Sequence, residues 1–400
     1  MSGKRVLYIS GSLGLGHSAR DLAIANQLRE LDPEVHVTWL AAHPASMVIQ
    51  EAGEDVHPAA EEYANDNEPA EAAAKEGFRL NLIQYLMDAV GAWQNNVGVF
   101  ARIVGENPPD LVVADEAYEI GVALAKGSIQ LKAPFVMLYD FIGVDPMSWN
   151  PKELLGAYMW NREWANIRNL YDGVSKVALF LGELEDIPDS GLGPLLPNRR
   201  DLGREVCKFV GYPLQFSPAD YADKLAVRSE LGYSDEPLVI CAIGGTAVGR
   251  DLLTLCGQAY PLAKAMIPGL QMVLVCGPRL SVETLDPPEG VQVLGYVPDL
   301  YKHFAASDLA IVQGGGTVTL ELTALRRPFL YFPLHDHFEQ QVAVANRLAR
   351  HKAGVKMAYA ETTPESLAEA IVANLGKEVT WAPISADGAR RAAEAMLGLL

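Results

Sequence analysis

One stretch, Ser307–Leu348, decides the fold, and its sequence is SDLAIVQGGGTVTLELTALRRPFLYFPLHDHFEQQVAVANRL. Its apolar run Leu309–Val312 predicts a buried strand, which breaks into the glycines Gly314–Gly316. A helical pattern follows and ends at Pro328, and the apolar run Phe329–Phe332 predicts the next strand. A strand, a glycine turn and a helix start aim free backbone N–H groups and the positive end of a helix at one spot. The sequence therefore predicts a cradle for phosphate.

Polar side chains accompany this cradle. Thr317 opens the predicted helix, and Glu321 lies about one turn further on. A carboxylate at that place can accept hydrogen bonds from both the 2′ and 3′ hydroxyls of a ribose, although a solvated helix glutamate is the plainer alternative. Glu339, Gln340 and Gln341 follow the next strand, where polar side chains can reach a sugar. Phosphate, ribose and sugar groups together predict a nucleotide-sugar site.

This constellation resembles the donor-binding half of the GT-B fold nucleotide-sugar glycosyltransferases. One similar branch is the peptidoglycan N-acetylglucosaminyltransferases, with a Gly-rich turn, a helix glutamate and paired glutamines. The other is the UDP-glycosyltransferases of natural products and plants, with an HCG…E…P…DQ signature. Where that branch has a histidine before the glycines, this chain has Gln313, whose amide can still donate to a phosphate. The resemblance implies donor contacts from Gln313, Gly315, Gly316 and Thr317.

The resemblance covers most of the chain and implies an α/β protein with two doubly wound Rossmann-like domains that face a cleft. Residues 1–212 are then the N-terminal acceptor-binding domain, and residues 213–384 are the C-terminal donor-binding domain. A terminal helix, 385–400, is expected to pack back on the first domain. The acidic, alanine-rich segment Asp55–Gly77 predicts an exposed, partly mobile insertion, and Gln215–Asp223 is expected to join the halves.

Composition narrows the class of partner. The chain has 400 residues and a formal net charge of −18, which argues against nucleic acid and against docking to anionic lipid. Its four cysteines show no CxxC spacing, so reduced core thiols in a cytoplasmic protein are expected. The start MSGKRVLYISGSLG does not look like a signal peptide, and no apolar stretch approaches the ~20 residues of a spanning helix.

The first glycine turn, Gly11–His17, separates two function classes. Its spacing is GxxGxG, whereas a dinucleotide fold favours GxGxxG with an acid about 20 residues further on. The second predicted strand ends in Leu40 without such an acid, which disfavours a nicotinamide-dependent oxidoreductase. The resemblance instead implies that Gly16 closes against the donor phosphates and that His17 is the catalytic base, a role open to a histidine near neutral pH. Capping of the following helix is the alternative for His17.

Asp115 ends a buried strand and resembles the aspartate that orients the base histidine in the natural-product branch. Glu116 is a second candidate for that role, and a helix N-cap is the structural alternative for Asp115. Gly244, Gly245 and Thr246 form a second strand–turn–helix cradle, which strengthens the phosphate assignment.

A further loop, Gly295–Asp299, is implied by the resemblance to pair its backbone with the nucleobase, with Val297 as the contact. The histidines His335 and His337 form an HxH pair, but no further ligands have a suitable spacing, so no metal is expected. The aromatic stretch Trp149–Tyr171 and the helix Phe78–Val104 could line an acceptor pocket, or belong to the ordinary core.

The leading hypothesis is a metal-independent, inverting glycosyltransferase that uses no cofactor besides a nucleotide sugar. A UDP sugar is favoured over dTDP because Glu321 suits a ribose, and the acceptor is a hydroxyl of a small molecule or lipid. The alternatives are a sugar-nucleotide epimerase or hydrolase on the same fold, with Glu339 as its acid, and a non-catalytic nucleotide-sugar binding protein.

Overall fold

The computed structural model describes residues 3–11, 15–64, 82–171, 176–245 and 249–400, and these fall into two compact units. Among them, the first unit comprises the residues up to 64, Leu82–Gln215 and Ser385–Leu400, and the second unit is Phe216–Ile384. The sequence placed the boundary at 212/213, and the structure divides the chain a few residues later, after Gln215.

The first unit is built on a seven-stranded sheet with the order β3-β2-β1-β4-β5-β6-β7, in which every pairing is parallel. Its strands are β1 (Lys4–Ile9), β2 (Val35–Leu40), β3 (Asp55–Val56), β4 (Leu111–Asp115), β5 (Phe135–Tyr139), β6 (Lys176–Phe180) and β7 (Cys207–Phe209). The central strands β4 and β5 are buried along their whole length, as expected for apolar strands covered on both faces.

Helices connect these parallel strands. They are α1 (Gly16–Leu31), α2 (Ala45–Glu51), α3 (Leu82–Glu106), α4 (Tyr118–Ala125), α5 (Pro151–Ala165) and α6 (Arg199–Val206). Two apolar clusters, one on each face, bury the sheet, with Phe100 and Trp164 in one and Trp39 and Leu28 in the other. The parallel order brings the carboxyl ends of β1, β4 and β5 to one edge, where ligands bind in open α/β sheets.

One prediction for this unit is wrong in part. Residues 55–64 are not an exposed insertion, because Asp55–Val56 pairs with β2 and Pro58–Glu61 forms a 3₁₀ turn. Tyr63, which follows, is buried in the core. A two-residue edge strand with one acidic member gives no apolar pattern, so the sequence conceals it. The rest of the predicted insertion, residues 65–77, lies outside the described residues.

The second unit is built on a six-stranded parallel sheet with the order β10-β9-β8-β11-β12-β13. Its strands are β8 (Leu238–Ala242), β9 (Gln271–Val275), β10 (Val291–Leu294), β11 (Leu309–Gln313), β12 (Phe329–Phe332) and β13 (Val355–Lys356). Its helices are α7 (Lys224–Leu231), α8 (Arg250–Met266), α9 (Leu300–Ala306), α10 (Gly316–Leu325), α11 (Ala345–His351) and α12 (Pro364–Asn374). The order is the doubly wound pattern of a Rossmann fold.

The last helix, α13 (Gly388–Leu397), belongs to the first unit. It packs on α1 with Ala392, Ala393 and Met396 fully buried. An isolated bridge between Pro213 and Asp387 ties its start to the end of the first unit. The terminal helix is thus part of the N-terminal core although it follows the second unit in sequence.

Two further features concern the whole chain. The four cysteines carry free thiols, and Cys241, Cys256 and Cys276 are buried. In the part of the chain that the structure describes, no helix is both long enough and apolar enough to cross a bilayer.

Candidate active site

His17 and Asp115 meet at the carboxyl edge of the first sheet. His17 lies in the first turn of α1, Asp115 is the last residue of β4, and their Nδ1 and Oδ2 atoms are 2.6 Å apart. A nitrogen and a carboxylate oxygen approach this closely only with a proton between them, so Nδ1 donates to Asp115 and Nε2 takes no part in this contact. Neither residue caps a helix, since Leu15 and Ala117 hold the N-cap positions. The catalytic roles of His17 and Asp115 remain predictions.

Arg20, one turn further along α1, was not identified from the sequence, yet it holds this pair. Its Nη2 donates to Asp115 Oδ1 at 2.6 Å, and its Nη1 donates to Asp140 Oδ2 at 2.7 Å. Asp115 is fully buried and Arg20 nearly so. Burial alone would raise the pKa of Asp115, but Arg20 and then His17 outweigh it and lower that pKa. Asp115 is therefore a carboxylate whose charge is balanced by Arg20.

A second carboxyl pair lies beside Arg20. Asp140 follows β5 and Glu116 follows β4, in a left-handed backbone conformation at φ 51°. Burial, then the charge of Asp140, raises the pKa of Glu116, while Arg20 overcomes the effect of burial and lowers the pKa of Asp140. A proton shared by these two carboxyl groups therefore resides on Glu116 rather than on Asp140. Glu116 does not contact His17 in the way that Asp115 does, and it is not the orienting carboxyl.

A third acid, Asp21, is buried behind the pair. Ser10 and Tyr8 donate to its two carboxyl oxygens at 2.6 Å and 3.0 Å. Burial and the nearby Asp115 raise the pKa of Asp21. Both of its oxygens are used inside the fold, so Asp21 fixes the second turn of α1 to β1 and to the residue that follows β1.

The second unit forms the predicted glycine cradle at the end of β11. Gly314 lies so close to Pro333 that an added Cβ would come within 2.9 Å of its backbone. Gly315 is the N-cap of α10 and has open space around its Cα, and Gly316 begins the helix. Thr317 follows in the first turn, where backbone N–H groups lack intrahelical acceptors. The arrangement suits an anion at the helix start.

Glu321 is buried one turn inside α10, with only 6% of its surface exposed. Burial, then the nearby charge of Asp299, raises its pKa to about 8. Ionising a buried carboxyl group costs free energy. Such a group is therefore unusual unless a ligand supplies its hydrogen bonds. Glu321 is therefore not the solvated helix residue that was its alternative.

The other predicted donor residues lie around the same edge. Gly244 and Gly245 follow β8, and Gly244 has φ 80°. Thr246 lies outside the described residues. Gly277, which the sequence reasoning missed, follows β9 with φ 76°, and a Cβ there would come within 2.3 Å of the Gly244 carbonyl. Val297 is partly exposed in the loop after β10, two residues before Asp299 at φ 50°.

Gln313, the last residue of β11, is buried. Its Oε1 has no hydrogen-bond partner among the described residues and would lie 3.0 Å from a Cβ added at Gly249. Gly16, the remaining predicted donor residue, begins α1 in the first unit. The donor roles of both residues remain predictions.

The segment Glu339–Val344 is a π-helix that runs directly into α11. Gln340 Oε1 accepts from the Leu334 N–H at 2.8 Å, and Gln341 Nε2 donates to the Leu334 carbonyl at 3.0 Å. Both glutamines therefore hold the preceding loop in this structure. Glu339 instead faces the cradle, because its Oε1 would lie 3.5 Å from a Cβ at Gly316. Of the three polar residues, Glu339 is the one beside the helix start.

Arg347 is the second charged residue that the sequence reasoning missed. From α11 its Nη2 donates to the Gly316 carbonyl at 2.5 Å and to Thr319 Oγ1 at 3.2 Å. Its Nε is buried and has no partner among the described residues. A sequence signal existed, because Arg347 is the only basic residue between Phe338 and Leu348. It brings a positive charge to the phosphate cradle.

The HxH pair does not act as a unit. His335 Nδ1 lies 2.6 Å from Asp336 and the ring is mostly exposed, whereas His337 is buried and stacks on Phe338. Burial lowers the pKa of His337 to about 4, so its ring is neutral near pH 7. The aromatic stretch in the first unit is partly core, since Trp164 is buried against Tyr118 and Tyr139.

The second unit is similar in sequence to known glycosyltransferases. Residues 239–394 match the glycosyltransferase family 28 C-terminal domain, and most of these residues lie in the second unit. An uncharacterized glycosyltransferase of Methanopyrus kandleri is 29% identical over 194 residues, which are 48% of this chain and 54% of that protein.

A second relative carries a more specific name. The UDP-N-acetylglucosamine--N-acetylmuramyl-(pentapeptide) pyrophosphoryl-undecaprenol N-acetylglucosamine transferase of Mycobacterium avium is 27% identical over 215 residues, which are 50% of this chain and 52% of that protein. The chain thus spans about half the length of the curated relatives that it matches.

Solved structures extend the likeness of the fold to the whole chain. The glycotransferase of kitacinnamycin has a TM-score of 0.58 at 17% identity, covering 100% of this chain and 95% of that one. At this identity the match shows the fold alone. The predictions of a GT-B α/β fold with two Rossmann-like sheets, and of a resemblance to GT-B glycosyltransferases, are confirmed.

Proposed function

We propose that this chain is a glycosyltransferase that moves a sugar from a nucleoside diphosphate, UDP in the first place, to a hydroxyl acceptor. The observation that carries the proposal is the cradle at α10, where a free helix start and the buried carboxyl of Glu321 lie within one turn of each other in the family 28 domain. An anion site beside a carboxyl group that can accept hydrogen bonds from ribose hydroxyls fits a nucleotide. The names of the relatives support the same class of reaction.

The second unit binds the donor in this proposal. The N–H groups of Gly316 and Thr317 and the guanidinium of Arg347 hold the diphosphate. Glu321 accepts hydrogen bonds from the ribose hydroxyls, Val297 lies at the base, and Glu339 contacts the sugar. As the bond to the sugar breaks, the helix dipole and Arg347 stabilise the charge that builds up on the leaving phosphate, so no metal is required.

The first unit activates the acceptor. His17 Nε2 takes the proton of the acceptor hydroxyl while Asp115 holds Nδ1 and stabilises the imidazolium. The acceptor oxygen forms a bond to the anomeric carbon, and the bond from that carbon to the diphosphate oxygen breaks, with its electron pair leaving on the nucleotide. A single displacement of this kind inverts the anomeric centre.

A thermal-shift titration with UDP, dTDP, GDP and NADH in the presence of EDTA tests the donor half on wild type and Glu321→Ala. A ligand at about 100 times its Kd stabilises a protein by ~2.7 kcal/mol. We expect a shift with UDP that persists in EDTA and shrinks in the variant. A shift with NADH alone, or with no nucleotide, would overturn the proposal.

Product analysis then separates the transferase from its rivals. Consumption of a UDP sugar only when a hydroxyl acceptor is present, with an inverted product, is the expected result. Consumption without an acceptor would indicate an epimerase or hydrolase. Binding without turnover across a broad set of acceptors would indicate a nucleotide-sugar binding protein.

A further inference from the structure

Arg20 joins the His17–Asp115 pair to a second carboxylate. Its guanidinium donates through Nη2 and Nε to the two oxygens of Asp115, at 2.6 Å and 3.3 Å, and through Nη1 to Asp140 at 2.7 Å. Its Nη2 also lies 2.9 Å from His17 Nδ1. All of these atoms belong to the first unit, and three secondary-structure elements, α1, β4 and β5, supply them.

The contacts leave one arrangement of protons. Because Nδ1 of His17 carries its proton toward Asp115, Arg20 cannot donate to that nitrogen as well. The guanidinium therefore acts on His17 as a positive charge at close range and as a clamp on Asp115. A nearby positive charge disfavours the protonated imidazole, and a nearby carboxylate favours it.

Resting on the proposed function, we propose that Arg20 is a positioning residue that fixes the orientation of Asp115 and sets the proton affinity of His17, with Asp140 as its counter-charge. Without Arg20, His17 would face the unbalanced charges of two carboxylates, which favour the protonated imidazole. With Arg20 in place, this effect is offset.

Several charged and titratable groups surround His17, and each contributes to the electrostatic environment of its imidazole. From α1, β1 and the ends of β4 and β5 they are Arg20, Asp21, Tyr8, Asp115, Glu116 and Asp140. Burial is the first cause that raises the pKa values of Glu116, Asp21 and Tyr8. The pKa values of Asp115 and Asp140 are instead lowered, with Arg20 as the main charge that lowers them. Arg20 is the one arginine or lysine in this described set.

Two substitutions with opposite expected effects test the proposal on the full-length protein. Arg20→Gln removes the positive charge, so the acid limb of the kcat/KM pH profile should move up by about one pH unit. Activity should then fall about tenfold on that limb and recover at higher pH. Asp140→Asn removes the counter-charge but keeps Arg20, so the acid limb should move to lower pH. Arg20→Lys keeps a charge and should retain a limb close to that of wild type.

The imidazole titration of His17, followed by NMR in the same proteins, gives a readout that needs no substrate. Opposite displacements of its midpoint in Arg20→Gln and Asp140→Asn would support the proposal even if the chain proved not to be a transferase. Unmoved midpoints, or displacements of the same sign, would overturn it. Arg29, which pairs with Glu54 farther along α1, provides the matched control, since Arg29→Gln also removes a positive charge but should leave the titration unchanged.

Discussion

His17 contributes to the proposed reaction through one nitrogen only. Asp115 occupies Nδ1 at 2.6 Å and has no exposed surface of its own, so Nε2 is the only atom of the ring left for a substrate. The side chain of His17 keeps 17% of its surface exposed. A buried partner and an accessible ring form the arrangement that a general base needs.

Replacing His17 with alanine should lower kcat by roughly 10²- to 10⁴-fold, because that is the usual contribution of a general base. Binding of UDP should be unchanged, since the donor contacts named under the proposed function all belong to the second unit. Steady-state kinetics and a UDP titration measure the two effects. His36→Ala, at an exposed position of β2, is the control. Turnover near the wild-type level in His17→Ala would remove the base role.

Glu321 gives a prediction about stability and pH. Its pKa is raised to about 8 in the folded protein, against an ordinary value near 4.5. The folded state therefore binds this proton more tightly than the unfolded state, and the stabilisation is complete below about pH 4.5 and lost as the pH rises to about 8. The Gln side chain of Glu321→Gln cannot ionise, so this variant should not lose stability through this position as the pH rises.

Denaturant unfolding of the two proteins at several pH values checks this. The free energy of unfolding of Glu321→Gln, relative to wild type, should increase between pH 5 and pH 8 by an amount on the order of a few kcal/mol, and then level off. A difference that does not change with pH would mean that Glu321 ionises normally in the folded protein. Saturating UDP should reduce the difference if the ribose hydroxyls bind the carboxylate.

At the scale of elements, the glycines at the start of α10 have different tasks. Gly314 gives the chain room to pass Pro333, since a Cβ would come within 2.9 Å of that backbone. Gly316 has room for a Cβ, which would lie 3.5 Å from Glu339 Oε1. One glycine is needed by the fold, and the other lies where the proposal has the phosphate.

The two alanine variants should therefore differ in kind. Gly314→Ala should destabilise the protein by about 1–3 kcal/mol, because backbone must move. The free energy of unfolding of Gly316→Ala should lie within about 0.5 kcal/mol of the wild-type value. It should weaken UDP binding by roughly tenfold or more, because a methyl group obstructs a charge-assisted hydrogen bond. Denaturant unfolding and calorimetric titration separate the effects. Equal losses of stability in both variants would contradict this division.

Elements with a strong apolar pattern could be predicted from the sequence. β11, α10 and β12 follow one another as the runs and glycines of Ser307–Leu348 indicate. The edge strand β3 could not be predicted, because two residues carry no periodicity. The π-helix Glu339–Val344 could not be predicted either, because its wider turn leaves no distinct apolar pattern in the sequence.

The site was predictable where a residue follows a strand and not where it depends on long-range packing. His17 lies at the start of α1, the helix that follows β1, and Asp115 ends β4, so the parallel sheet brings both residues to one edge. Arg20 looks like an ordinary helix residue, and its partner Asp115 is 95 positions away in sequence. The orientations of Gln340 and Gln341 depend on bonds to the loop at Leu334, which no local pattern reveals.

At the scale of the whole molecule, the chain returns to its first unit at the end. α13 packs on α1, and the side chain of Met396 is fully buried in the same apolar cluster as Trp39 and Leu28. The last residues therefore belong to the core that supports α1. The first two turns of that helix carry His17 and Arg20, so the end of the chain is connected through packing to the proposed base and its positioning residue.

Met396→Ala should reduce the stability of the first unit by roughly 2–5 kcal/mol, as is typical when a large core side chain is truncated. Hydrogen exchange followed by mass spectrometry locates the effect: peptides from β1 and β4 should exchange faster, because their cover is loosened. Met266→Ala, at a half-exposed position of α8, is the matched control and should change stability by about 0.5 kcal/mol or less. Unchanged exchange in β1 and β4 would mean that α13 only lies on the first unit without supporting it, and α1 would then owe its placement to its own contacts with the sheet.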